Sequence, residues 1–322
     1  MASEDVTRDI TTRTENDARE LLVRTFFFAC AALSIATTVG IIALLVFEAM
    51  KFFSVTAPLL GVEGATVGVV EFLTGTTWQP AGAESFGVLP LVSGTLIVTI
   101  GAGAIALPLG VATAMYLSEY ASPRARSVLK PALEILAGVP TVVYGVFAVV
   151  YITPFLEVFF PSISFFNALS ASIVVGIMII PMVASISEDA MSAVPDDLRQ
   201  AGYGMGATKY EVSTGVVIPA AISGIFSSFI LALSRAIGET MIVVMAAGLR
   251  PRMFNFANPL DNLLSSGQPM TAGMVSAVTS DATGGSATYL SMFALGLTLF
   301  VITFVMNLAS DYVAARYQEE YQ

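Results

Sequence analysis

Pro195-Asp-Asp-Leu-Arg-Gln200-Ala-Gly-Tyr-Gly-Met-Gly206-Ala-Thr-Lys-Tyr-Glu-Val-Ser-Thr-Gly-Val216-Val-Ile218-Pro219 is a polar island between two long apolar segments. Proline at a first turn and two carboxylates at the positive end of the helix dipole make Pro195-Asp196-Asp197 a helix start. Gly206 accepts a positive φ and can end that helix. The pattern predicts a helix of about three turns over roughly 196–205, then a turn and a second short helix.

Outward from the island, six apolar segments stand out: Thr25–Phe47, Leu89–Tyr116, Val128–Ile152, Ala168–Ser187, Val216–Leu249 and Tyr289–Ala309. Each is long enough to cross ~30 Å of hydrocarbon as a helix. The second and fifth exceed the need, so they must tilt or extend beyond the bilayer. Composition agrees. The 322 residues are 56% hydrophobic and 12% charged, against about 25% charged in soluble domains. Too little polar surface remains to cover a body in water. The expected fold is an all-α integral membrane protein with six transmembrane helices.

The first span lacks a clear cleavage site and reads as an uncleaved signal anchor. Loop cations set the orientation. With the N-terminus inside, Arg8, Arg13, Arg19, Arg24, Arg124, Arg126, Lys130, Arg199, Lys209 and Arg316 are cytoplasmic, and Lys51, Arg250 and Arg252 are external. The expected organisation is a cytoplasmic tail over 1–24, a first helix over 25–53 and an external loop over 54–88. A core over 89–312 follows, with five helices and a cytoplasmic loop at 188–215, and then a cytoplasmic tail over 313–322.

Several classes of function are excluded. There is no histidine and one cysteine, Cys30, so no disulfide, Cys/His metal site or histidine-based triad is available. The net charge of −10 opposes a nucleic-acid partner. Lys51, Lys130 and Lys209 follow Met, Leu and Thr, so none sits in a phosphate-cradling P-loop.

The remaining arginine, Arg235, lies inside a span, in Ser234-Arg235-Ala-Ile-Gly238-Glu239-Thr240-Met241. An ionised group there costs at least ~2.5–3.5 kcal/mol and marks a bundle interior or a substrate path. Arg235 and Glu239 are four apart, so on one helix they share a face and partly neutralise each other. A guanidinium matches an oxyanion with two parallel hydrogen bonds. The group Arg235, Gly238, Glu239 and Thr240 is therefore the candidate anion path, with an internal packing pair as the plainer alternative. Lys130 and Glu134 read as an i,i+4 pair at the interface. Gly284-Gly285-Ser286 reads as a flexible loop before the last span.

Gln200-Ala201-Gly202, Gly206, Val216 and Ile218-Pro219 resemble the cytoplasmic loop of ABC-importer permeases. The pattern there is Glu-Ala-Ala, three residues, Gly, nine residues, Ile, one residue, Leu-Pro. Gln200 and Gly202 depart from its Glu and second Ala. In addition, Arg235-Ala-Ile-Gly-Glu-Thr-Met241 is similar to a motif of phosphate-importer permeases. Supporting stretches are Trp78-Gln-Pro80, Phe86-Gly-Val-Leu-Pro90, Tyr116-Leu-Ser-Glu119-Tyr-Ala121, Gly138-Val-Pro140-Thr-Val-Val-Tyr144-Gly145 and Ser185-Ile-Ser-Glu188-Asp189-Ala190. The likeness covers about residues 70–310 and is nearer the PstC-type than the PstA-type subunit.

That resemblance implies a type I importer permease of MetI-like fold, which is not itself an enzyme. It implies transport by alternating access and binding of no cofactor, since ATP would be held by a separate PstB-type ATPase dimer. The other implied partners are a PstA-type permease, an extracellular PstS-type phosphate-binding protein, phosphate and membrane lipid. It carries phosphate passage to Arg235 and Glu239, and a coupling role to the 188–215 loop. The 250–288 loop, with Arg250 and Arg252, would help dock the binding protein. A sulfate or molybdate permease of the same class stays open. An ion-coupled secondary transporter would be expected to show inverted repeats, and none is evident.

Overall fold

The computed structural model describes residues 17–53, 67–80, 84–280 and 285–317. Arg8, Arg13, Gly284 and the last residues of the C-terminal tail lie outside them. The chain divides into two units, Met1–Glu48 and Ala49–Gln322.

The first unit is carried by helix α1, Asp17–Phe52. Phe26, Phe28, Leu33, Ile35 and Val39 are exposed around it, and so is Cys30. A helix that is apolar all round needs apolar surroundings, which here means lipid.

The second unit begins with the last turn of α1, followed by α2 (Val69–Thr74) and a small hairpin, β1 (Trp78–Gln79) against β2 (Ser85–Phe86), with Trp78 opposite Phe86. Phe52, Phe72, Trp78 and Phe86 form an edge-to-face aromatic cluster with ring centroids 5.3–5.9 Å apart. Leu91, Met270, Leu290 and Leu295 complete this core.

Helix α3 (Leu89–Tyr120, with a π turn at Tyr116–Tyr120) packs along α6 (Ala168–Ser192) in the most extensive helix pair. The two backbones approach closely because residues without a Cβ sit at the crossing. A Cβ added at Gly176 would lie 3.1 Å from the Ala102 carbonyl oxygen, and one at Gly101 2.6 Å from Ser172 Oγ.

The third and fifth expected spans are not single rods. α4 (Pro123–Ala137) meets α5 (Thr141–Glu157) at 87°. Gly138 and Pro140 cause the break, because the residue before a proline is pushed out of the helical region. α8 (Lys209–Ala220) meets α9 (Ile222–Ile237) at 70°. Pro219, which has no N–H to donate, sits just before that bend. A further break at Gly238 separates α9 from α10 (Met241–Ala246). Among the described residues four unbroken helices are long and apolar enough to cross a membrane, or up to six spans if each bent pair is one.

Residues 250–280, expected to be part of an external loop, contain helices. They hold α11 (Pro259–Leu264) and α12 (Met270–Thr279), and Met270, Thr271, Ala272, Gly273 and Ala277 of α12 are buried. At ten residues α12 is too short to cross. α13 (Ala287–Tyr317) closes the bundle and packs on α9 and α12.

The helix expected at about 196–205 is α7, Asp196–Gly204, and the second short helix begins at Lys209 as α8. Gly206 has φ +85°. Its N–H donates to Tyr203 O at 2.9 Å and that of Ala207 to Gly202 O at 3.2 Å, which closes the end of α7.

Candidate functional site

The continuous helix expected through Arg235 and Glu239 stops at Gly238. That break changes what the two side chains do. Glu239 is only 8% exposed, and its Oε1 accepts the Ile242 N–H at 3.2 Å. It holds the first turn of α10, where a carboxylate suits the dipole. The Glu239 carbonyl accepts from Thr271 Oγ1 at 2.7 Å, which ties the break to α12. Across the bundle, Thr95 Oγ1 of α3 accepts the Met270 N–H at 2.9 Å.

Among the described residues no ion pair joins Arg235 to Glu239, and no acidic side chain lies within 4.0 Å of the guanidinium. Arg235 instead lines a cavity of about 310 Å³ with Leu117, Lys130, Glu134, Met178, Pro181 and Glu188. That volume is within the range of small-molecule sites. The α6 lining runs from Met178 to Glu188, about 15 Å of helix at the usual rise. Gly238 and Thr240 line a different cavity, about 380 Å³, with Thr271, Met274 and Thr279. The four residues grouped from sequence are thus divided between two cavities and a helix start.

One end of the Arg235 cavity is clamped by charge. The Glu188 side chain is 1% exposed. It accepts from Lys130 Nζ at 2.8 Å, from the Arg126 guanidinium, and from Ser192 Oγ at 3.2 Å. Lys130 also reaches Asp189 at 3.2 Å. The expected Lys130–Glu134 pair does not form, because the carboxylates of α6 reach Lys130 instead. A buried carboxylate survives only with such partners, so α4 is locked onto the end of α6.

The loop has an exposed face and an anchored face. Gln200, Ala201, Tyr203, Met205, Gly206 and Tyr210 are exposed. Gly202 is buried, and a Cβ there would lie 2.9 Å from Val212 Cγ2. That contact accounts for glycine where the family pattern has alanine. Thr208 and Glu211 form a capping box at the start of α8. Val216, Ile218 and Pro219 lie in the π turn and the last turn before the 70° bend.

Sequence reasoning did not assign roles to Glu119, Arg126, Glu188 or Arg199. Glu119 and Glu188 lay inside two of the family-like stretches, which was the available signal. Arg252, expected to be an external docking cation, is paired with Asp261 at 2.8 Å. The Ser265 hydroxyl and then Arg252 hold the Asp261 carboxyl below the usual carboxylate range.

Comparison with known proteins identifies the architecture. The family model described as "Binding-protein-dependent transport system inner membrane component" matches residues 106–319. The probable ABC transporter permease protein YqgH of Bacillus subtilis is 32% identical over 96% of this chain and 95% of its own. The phosphate transport system permease protein PstC of Mesorhizobium japonicum is 34% identical over 76% of this chain and 78% of its own. The fold matches a chain of the inward-facing MetNI methionine ABC transporter at TM-score 0.52 and 16% identity, covering 72% of this chain and 95% of that one. The chain therefore belongs to the family of binding-protein-dependent transport system inner membrane components, the permease subunits of ABC transporters.

Proposed function

We propose that this chain is the transmembrane permease subunit of an ATP-driven importer for inorganic phosphate. The observation that carries this reading is Arg235. It is a guanidinium on a spanning helix, facing a cavity, with no carboxylate in ion-pair reach among the described residues. An arginine kept charged there costs several kcal/mol unless something compensates it, and an oxyanion passing the cavity supplies that compensation. The relatives named for phosphate transport support the choice of anion.

Both termini are cytoplasmic, on the count of loop cations. The Glu188 end of the cavity and α7 then face the cytoplasm. The exposed face of α7, around Gln200, Ala201 and Met205, seats on an ATPase partner. Gly206 fixes its exit into α8. A second, similar permease completes the pathway, and an extracellular phosphate-binding protein delivers the anion. When the ATPases close, they move α7, and the pathway opens to the other side. Glu239 acts on Arg235 indirectly, by holding the break at Gly238. This chain makes and breaks no covalent bond and binds no cofactor of its own.

The test is uptake by the whole complex in proteoliposomes. Labelled phosphate should enter only with internal-face ATP and the binding protein, and excess sulfate or molybdate should leave it unchanged. Equal competition by either anion, or uptake driven by an ion gradient without ATP, would overturn the assignment.

A further inference from the structure

Arg199 stands on α7, yet only 14% of its side chain is exposed. Its guanidinium meets acceptors from three places at once. Nε and Nη2 donate to Glu119 Oε1 at 3.3 and 3.1 Å. Nη2 also donates to the Met191 carbonyl at 2.8 Å, in the last turn of α6. Nη1 donates to the Val194 carbonyl and, at 3.1 Å, to Asp196 Oδ1 at the start of α7. The Glu119 side chain is 5% exposed and belongs to the π turn that ends α3.

A second contact reaches the same turn independently. Lys209, the first residue of α8, places Nζ 5.0 Å from the centre of the Tyr120 ring. Two cations of the loop therefore grip two neighbouring residues of one π turn. A guanidinium with several charge-assisted bonds in fixed geometry transmits displacement better than a single flexible contact. A π turn is a rare irregularity in a helix ladder and is often found at functional sites.

We infer that the Arg199–Glu119 pair, with Lys209 on Tyr120, is the joint through which motion of α7 reaches α3. Arg199 and Glu119 are positioning residues. Besides its covalent links to α6 and α8, α7 then has a route through this joint into the helix that packs along α6. This rests on the reading that the 188–215 loop seats on an ATPase partner.

The test uses the assembled complex, with Cys30 replaced by alanine and spin labels at Asp197→Cys on α7 and Leu109→Cys on α3. With the joint intact, the two labels keep one separation in the nucleotide-free and the ATP-trapped states. Glu119→Gln removes the charge and leaves the Arg199 bonds to Met191 and Val194 in place. In that variant the separation should broaden and shift on ATP trapping. Transport per ATP hydrolysed should fall about tenfold, the scale of one charge-assisted hydrogen bond. Arg199→Met should do the same. A single separation in both states of the Glu119→Gln complex would overturn the joint. The distance readout does not depend on which solute is carried, so failure of the phosphate assignment would be seen separately, in uptake by the unmodified complex.

Discussion

Arg235→Gln, in an otherwise intact complex, is expected to lower phosphate uptake at least a hundredfold. The guanidinium can offer an oxyanion two parallel hydrogen bonds and a full charge. Hydrogen bonds to charged groups contribute about 1.5–3 kcal/mol each, and a hundredfold corresponds to about 2.7 kcal/mol. Glutamine keeps one donor group and loses the charge, so the loss should reach that scale. Assembly should survive, because Arg235 lines a cavity and no side-chain hydrogen bond or ion pair among the described residues depends on it. Arg235→Lys keeps a point charge without the planar fork and should fall between the two, about tenfold below the native level. Labelled phosphate uptake, with co-purification of the ATPase as the assembly check, separates these outcomes. Native uptake by Arg235→Gln would remove Arg235 from the path.

The second large effect is expected at Gly206, and it concerns coupling. Its φ of +85° cannot be reached by proline, which is locked near −65°. Proline also deletes the N–H that closes on Tyr203 O. Apart from the adjoining residues, nothing lies within 4 Å of the position a Cβ would take, so the penalty comes from backbone conformation and not from a clash. Gly206→Pro should therefore redirect the exit from α7 while leaving its exposed face in place. ATP hydrolysis should continue, and phosphate moved per ATP should fall tenfold or more. Gly206→Ala, at a cost of roughly 1–2 kcal/mol for the left-handed backbone, should fall less. Unchanged coupling in Gly206→Pro would count against α7 as a lever.

These two sites differ in how far they could be read from sequence, and the difference is physical. α7 was legible because its signals are local: Pro195 and two aspartates at its start, Gly206 at its end. The spans were legible because a helix in lipid must be apolar along its length. The breaks at Gly138–Pro140 and Pro219 were visible as residue types, but their angles of 87° and 70° depend on what the arms pack against. α12 was hidden because ten residues that mix Met, Ala and Val with Thr, Gly and Ser carry neither span length nor polar-loop character.

The expectation that Arg235 and Glu239 share one helix face failed for a related reason. Spacing of four predicts a shared face only while the helix continues, and Gly238 ended it. The Glu188 clamp had no local pattern at all, since Lys130 and Arg126 are 58 and 62 residues away in sequence. Arg199 stood in plain view within the quoted loop. Its partner Glu119 is 80 residues distant, so its role required the folded chain.

What the account needs above all is water beside Arg235. With Cys30 replaced by alanine and Arg235 by cysteine, the assembled complex can be treated with a membrane-impermeant, negatively charged thiol reagent from either face. Modification from the cytoplasmic face in the nucleotide-free complex, slowed when ATP is trapped, is the predicted result. A thiol at position 235 that reacts from neither face, with or without nucleotide, would show that no anion route passes it.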